Sequence, residues 1–389
     1  MDLSSSSGHD PWTEDDVAFD MAGDSVKEAF EKAWRAEGEK VGRFNLAIFG
    51  KTGVGKSTLV NAIFGTDIAE TGVGRPVTAH TTLHVREDER LGVYDTRGLE
   101  VGVDTRAVLH DLEDHLRATR KKPIGEQIHV AWYCVRAGDR RFEDTEAKFV
   151  EALRATGLPV MLVLTQVSKR GDEVRPDTLE FVKAIEERDL PIFERRAFLT
   201  MARAEDFDGL AAHGLQELLD ATYLAAPPAV AAALDAAQQI DMARKRKAAR
   251  GAIAAAASLA TAAGATPIPF ADAAVLVPIQ VTMMARIAVV YGIPVGRATF
   301  LTLAATAGAT AAGRGAVTGL LKLIPGAGTV VGGAISAAVA ATFTTTMGEA
   351  WIRVCEGLAT GKLGGIDKAL DGEAVRKLFL DEFLKRAKK

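Results

Sequence analysis

Two patterns of apolar residues divide this chain. Up to about residue 226 they fall in short runs that alternate with helical stripes, and beyond it they form long stretches almost without charge. Short apolar runs bounded by turn residues predict strands at 44–49, 82–86, 91–95, 128–135, 159–165 and 197–200. Helical spacing predicts helices at 56–64, 106–120, 144–155, 178–188 and 215–224. Ahead of them, 13–37 reads as a helix with an apolar stripe of Val26, Ala29, Phe30, Ala33 and Trp34, and with Ser25 and Glu28 at capping-box spacing. Strands alternating with helices on this scale predict an α/β fold: a mostly parallel sheet, helices on both faces, and a ligand at the carboxyl ends of the strands. Pro227-Pro228 punctuates the chain and marks a domain boundary.

Past that boundary the sequence turns to Ala, Gly, Thr and Val, and an all-α apolar domain is expected. The run 323–348 is long enough to span a bilayer, yet it is poor in Leu, Ile, Val and Phe. In 251–285, Asp272 and the prolines at 267, 269 and 278 break the stretch into pieces too short to span singly. The basic cluster Arg244, Lys245, Arg246, Lys247 and Arg250 has the composition of a juxtamembrane flank or an anionic-lipid contact. A buried helical bundle gives the same composition, so both readings stand. Similar proline turns at 268–272 and 324–328 open two apolar stretches, as in two related helical hairpins. The expected domains are a disordered tail and N-terminal helix at 1–42, an α/β domain at 43–226, the apolar helical domain at 227–365 and a basic C-terminal helix at 366–389.

Composition narrows the function classes. The net charge of −4 supplies no general basic field, so nucleic acid is not an expected partner. Cys134 and Cys355 stand far apart and form neither a disulfide framework nor a zinc site, which fits a reducing cytosol. The seven histidines lack metal-ligand spacing; His110 and His115, five apart on a helix, face different ways. Residues 1–10 are Ser-rich and acidic, without the basic-then-apolar pattern of a signal peptide.

The sharpest chemistry is at Gly50-Lys51-Thr52-Gly53-Val54-Gly55-Lys56-Ser57, which reads GxxxxGKS between a predicted strand and a helix that opens with Ser57-Thr58. Backbone N–H groups of such a loop cradle phosphate oxygens at a helix N-terminus, and Gly53 and Gly55 permit the tight turn. Lys56 brings positive charge to the β and γ phosphates, and the Ser57 hydroxyl is placed for Mg²⁺. Asp95-Thr96-Arg97-Gly98 follows a strand and matches DxxG: Asp95 would hold Mg²⁺ through water, and the Gly98 N–H would meet the γ-phosphate. Between the two motifs, Thr78 after the Arg75-Pro76 turn is the expected third Mg²⁺ ligand, ahead of Thr81 and Thr82.

Together these residues resemble a P-loop GTPase of the Era, septin and immunity-related type. More specifically, the chain resembles bacterial GTPases fused to an uncharacterised Ala/Gly-rich helical domain. The resemblance implies GTP as substrate, GDP as product, Mg²⁺ as cofactor, and a cytoplasmic nucleotide switch reporting to a helical effector at or near the inner membrane. A nucleotide-gated scaffold that homodimerises with negligible turnover, and an ATPase, are the rival readings. The family reads guanine with Asn- or Thr-Lys-x-Asp; the matching run here is Thr165-Gln166-Val167-Ser168, without the carboxylate. Ser168, or Asp172 if the loop curls back, is expected to stand in for it. The second base element corresponds to Thr200-Met201-Ala202. Leu99 occupies the place where many GTPases carry a water-orienting glutamine, which implies slow turnover. Arg75, three residues before Thr78, has the spacing of an arginine finger in cis, or is a solvated loop arginine.

Overall fold

A computed structural model describes residues 14–65, 75–76, 81–96, 105–205, 209–264, 272–302, 337–363 and 372–387. By internal contacts the chain divides into two compact units. One comprises Gly38–Ala248 with Val290–Gly292; the other comprises Met1–Glu37, Ala249–Val289 and Ile293–Lys389.

The first unit is α/β. Its strands among the described residues are β1 (Phe44–Phe49), β2 (Arg75–Pro76), β3 (Thr81–Val85), β4 (Leu91–Thr96), β5 (Val130–Arg136), β6 (Val160–Thr165), the short hairpin β7 (Lys169–Arg170) and β8 (Glu173–Val174), and β9 (Ala197–Leu199). Its helices are α2 (Lys56–Phe64), α3 (Thr105–Thr119), α4 (Asp144–Ala155), α5 (Pro176–Glu186), α6 (Leu215–Ala225) and α7 (Ala231–Ala237), all later in the chain than α1 (Glu14–Val41). The main sheet runs β2-β3-β4-β1-β5-β6-β9. β1 pairs in parallel with β4 and β5, and β6 in parallel with β5 and β9, while β2 and β3 are antiparallel.

Every residue of β1 and of β6 is buried, as strands covered by helices on both faces require. On one face Phe49, Tyr133 and Leu162 pack beneath α3, α4 and α5, with Phe149 of α4 among them. On the other, Leu46, Ile48, Trp132 and Val163 pack beneath α2, α6 and α7. Chain order reverses at β1, which lies between β4 and β5. A crevice therefore opens beyond its carboxyl end, where open α/β sheets bind ligands.

The α/β body continues beyond the Pro227-Pro228 turn: Val230, Ala233, Leu234 and Ala237 belong to the same core as Leu46 and Trp132. A buried polar clamp holds this extension. Arg86 donates from Nη1 to the carbonyls of Phe64 (2.9 Å) and Ala237 (2.7 Å), and its Nη2 pairs with Asp88 at 2.6 Å. Lys245 belongs to α8 (Met242–Gly264). It is fully buried, and its Nζ donates to the carbonyls of Asp235 (2.8 Å), Ala236 (3.0 Å) and Val290 (2.8 Å). Within the basic cluster this places Lys245 in the core and not on a lipid-facing surface. Lys245 points into the protein, and Arg244 pairs with Asp220 (3.3 Å) and Asp241 (3.4 Å).

The second unit is helical. It contains most of α8, α9 (Asp272–Val290), a helical stretch at 295–302, α10 (Ala337–Ala359) and α11 (Gly372–Ala387). Gly348 allows a close approach: a Cβ there would stand 2.6 Å from Ile253 Cγ1. Trp351 Nε1 donates to the Met284 carbonyl at 2.9 Å, Phe343 packs on Phe383, and Glu349 joins Arg250 (2.8 Å) to Arg386 (3.3 Å). Pro278, expected to break the chain, lies inside α9, because a proline deletes one backbone bond and packing outweighs it. Among the described residues no helix is long and apolar enough to cross a membrane. The proline turns at 268–271 and 324–328, and most of 323–348, lie outside the described residues.

Candidate nucleotide-binding site

The loop between β1 and α2 leaves the sheet through Gly50, whose φ of 132° carries it over β5. A Cβ there would stand 2.3 Å from the Cys134 carbonyl oxygen, so only glycine fits. The loop enters α2 through Gly55, left-handed at φ 94°, and the Leu59 N–H makes the first helical bond to the Gly55 carbonyl (2.9 Å). The remaining N–H groups of that first turn have no partner within the helix, which suits them to an anion. Lys56 folds back over the loop, its Nζ donating to the carbonyls of Gly50 (2.9 Å) and Lys51 (3.0 Å).

Lys51 pairs with Glu143 and Glu146 at 3.2 Å each. Glu146 is buried, accepts from Tyr133 Oη at 3.2 Å and closes the capping box that starts α4. Burial pulls the Lys51 ammonium down, but its bonds and charge contacts with Glu146 and Glu143 outweigh this and hold it above its ordinary value. Below the loop, burial pushes the Cys134 thiol up to about 12, so it is inert there.

Beneath the start of α2 lies a cavity of about 30 Å³, room for a water or an ion, whose polar walls are Lys56, Ser57, Asn61, His84 and Asp95. Asp95, near the end of β4, has a buried Oδ1 without a hydrogen-bond partner among the described residues. Burial raises its carboxyl above the usual range, against the charges of Lys56 and His84. A serine hydroxyl and an unsatisfied carboxylate oxygen are hard donors that fit Mg²⁺. The sequence reading missed His84, which lines this cavity with Nδ1 likewise unsatisfied among the described residues. Its place in an alternating strand was the only signal.

A larger cavity, about 390 Å³, is lined by Gly55 and Thr58, by Thr165, Gln166 and Ser168, and by Met201, Ala202, Arg203, Ala204 and Glu205. The Thr165 hydroxyl donates to the Val54 carbonyl and joins β6 to the phosphate loop. Gln166, left-handed at φ 56°, brings its amide nitrogen against Gly55. Thr200, expected at the base, is fully buried with its hydroxyl donating to the Leu164 carbonyl (3.0 Å); Met201 and Ala202 line the cavity in its place. Asp172 lies in the turn between β7 and β8, away from the lining. Arg203 and Glu205 were not anticipated, since no spacing rule ties them to the phosphate loop. Thr78, Gly98 and Leu99 lie outside the described residues. Arg75 is described only in its backbone, which pairs with Leu83.

A glycine-rich loop at the reversal of a mostly parallel sheet, with Lys56, Ser57 and Asp95 converging on it, defines a P-loop GTPase domain. Residues 45–166 match the family described as 50S ribosome-binding GTPase, and residues 230–377 match a domain of unknown function, DUF697. The chain is thus a P-loop GTPase domain joined to a helical domain. It is similar to GTPase Der of Brucella ovis, 35% identical over 133 residues, covering 33% of this chain and 26% of that protein. GTPase Der of Bartonella tribocorum is 31% identical over 129 residues, covering 32% and 26%. The chain therefore matches about a quarter of the length of these relatives. Among solved structures, Era of Aquifex aeolicus bound to GDP and aluminium fluoride is 18% identical, with a TM-score of 0.32 and coverage of 47% of this chain and 56% of that one. A probable GTP-binding protein engB is 15% identical, with a TM-score of 0.31 and coverage of 48% and 98%.

Proposed function

We propose that the α/β unit binds GTP with Mg²⁺ and hydrolyses it slowly to GDP and phosphate, and that nucleotide state is passed to the helical unit. The observation that carries this reading is Lys56, its ammonium held at the mouth of the phosphate loop by two loop carbonyls, above the small cavity that Ser57 and Asp95 share. Backbone N–H groups and Lys56 would bind and orient the β and γ phosphates for in-line attack by water. Ser57 and Asp95, with Thr78 as the third ligand, would hold Mg²⁺, which supplies charge neutralisation when bound. Gly98 would donate its N–H to the γ-phosphate. Leu99 offers no hydrogen bond to orient water, which favours slow basal turnover accelerated by homodimerisation or a partner. Arg75 has the spacing to stabilise transition-state charge in cis.

Competition of unlabelled GTP, GDP and ATP against a fluorescent guanine nucleotide tests the assignment. GTP should win over ATP, by less than in GTPases with the full base-reading motif, and Lys56→Ala should abolish binding of both. ATP competing as well as GTP would favour an ATPase. Phosphate release measured per bound nucleotide separates slow hydrolysis from a gated scaffold. Arg75→Ala should lower kcat by about 10³-fold with Kd nearly unchanged if the finger assignment holds.

A further inference from the structure

The guanine edge presents two adjacent donors, the ring N1–H and the 2-amino group. A site that selects guanine needs an acceptor for both, and a carboxylate does this best because a charged acceptor makes the stronger bonds. The end of β6 supplies no carboxylate: Gln166 turns its amide nitrogen to Gly55, and Ser168 brings a neutral hydroxyl. Yet the cavity that begins at the phosphate loop does contain one. Among the described residues lining it, Glu205 carries the sole carboxylate.

The backbone holds Glu205 there. Met201 and His213 exchange N–H···O bonds at 3.0 Å, and Glu205 and Leu210 exchange theirs at 2.8 and 3.0 Å. Residues 201 and 205 are thus bridged antiparallel to residues 213 and 210. The segment is also tied to the β6 side of the cavity: His213 Nε2 lies 2.8 Å from the Val167 carbonyl, and the Val167 N–H donates to the Thr200 carbonyl at 3.0 Å. The Glu205 side chain is exposed, and its carboxylate makes no ion pair or hydrogen bond with the described residues, so both oxygens remain available as acceptors.

We propose that Glu205, from the loop after β9, is the guanine-reading carboxylate of this chain, replacing within the same cavity the acidic residue that the end of β6 lacks. This rests on the nucleotide-site reading above. Adenine would turn an unprotonated ring nitrogen toward the same carboxylate, so Glu205 disfavours ATP as well as favouring GTP. The selectivity moves from the end of β6 to the loop after β9 while the phosphate grip stays in place.

The test is competition by GTP, ATP and xanthosine triphosphate on the full chain, for the native protein, Glu205→Gln and Glu205→Ala. Xanthine carries a carbonyl oxygen where guanine has its amino group, so an amide donor at 205 should suit it. Glu205→Gln should lose GTP affinity about 10- to 100-fold and gain xanthosine triphosphate affinity, inverting the ratio of the two. Glu205→Ala should lose the preference for GTP over ATP with no gain for the xanthine nucleotide. An unchanged ratio of GTP to xanthosine triphosphate in Glu205→Gln, with triphosphate binding intact, overturns the inference and leaves the site reading standing. Equal losses for every nucleotide would show that residue 205 only shapes the loop, and also overturn it. A native protein that binds no triphosphate overturns the site reading, and the inference with it.

Discussion

The hydroxyl of Thr165 donates to the backbone carbonyl of Val54, so the end of β6 and the phosphate loop are one hydrogen-bonded unit. Thr165 is buried, and valine has its shape without the donor. Thr165→Val would leave the Val54 carbonyl without that partner, a loss of about 1–3 kcal/mol in denaturant unfolding. Because the bond shapes the loop and not the base wall, GTP and ATP affinity should fall together. Loss of GTP affinity alone would make Thr165 a base reader.

Among the described residues Lys56 bonds only to the carbonyls of Gly50 and Lys51, and both bonds are part-buried. Lys56→Ala should therefore change stability by no more than about 1–2 kcal/mol. Triphosphate binding should be abolished, since the point charge for the β and γ phosphates is gone. Thermal unfolding with and without nucleotide separates the two effects: the native protein should gain Tm on adding GTP and Mg²⁺, and the variant should not.

The hydrophobic pattern located the α/β half to within a few residues, because buried parallel strands and amphipathic helices leave opposite periodicities. Phe44–Phe49 and Lys56–Phe64 stand where they were expected, and β5 is shifted only from 128–135 to Val130–Arg136. The place of Lys245 stayed open in the sequence because a buried amine and a lipid-facing one look alike there. Only the three carbonyls around it, from two distant segments, distinguish them. Glu205 was invisible for a related reason. It reaches the cavity through the bridge to Leu210, and no motif spacing encodes that bridge.

Asp95 combines an unsatisfied buried oxygen with a carboxyl raised above its ordinary value of 3.8 by burial, against the opposing charges of Lys56 and His84. The folded protein thus binds a proton that the unfolded chain releases between 3.8 and the raised value. As pH rises through that window, Asp95 subtracts stability from the nucleotide-free protein, and the loss is complete above it. Asp95→Asn should therefore raise the Tm of the nucleotide-free protein at neutral pH. The same change should remove the Mg²⁺-dependent part of nucleotide binding. In the native protein that part should weaken on acidification before ordinary carboxylates protonate. Calorimetry across pH with and without Mg²⁺ checks both; a variant less stable at neutral pH would show that the Asp95 charge is compensated.

Lys245 offers the opposite sign in an alkaline window. Burial, then the charge of Arg86, lowers its pKa from 10.5 to about 7, with Asp88 and Asp235 opposing. Between those two values the unfolded chain holds a proton that the folded protein has released, so Lys245 adds stability as pH rises, by roughly 1 kcal/mol per unit. The contribution is fully present above 10.5 and lost as pH falls toward 7. Lys245→Met keeps the length of the stem but deletes the donors that the carbonyls of Asp235, Ala236 and Val290 share, three N–H groups in the ammonium and two in the neutral amine. It should destabilise the protein by about 2–4 kcal/mol at pH 9, and by less at pH 7, where the native residue has lost much of its advantage. Denaturant unfolding of both proteins at pH 7, 8 and 9 reads the difference directly. A gap that stays constant across the three would mean that the amine remains protonated among its carbonyls throughout.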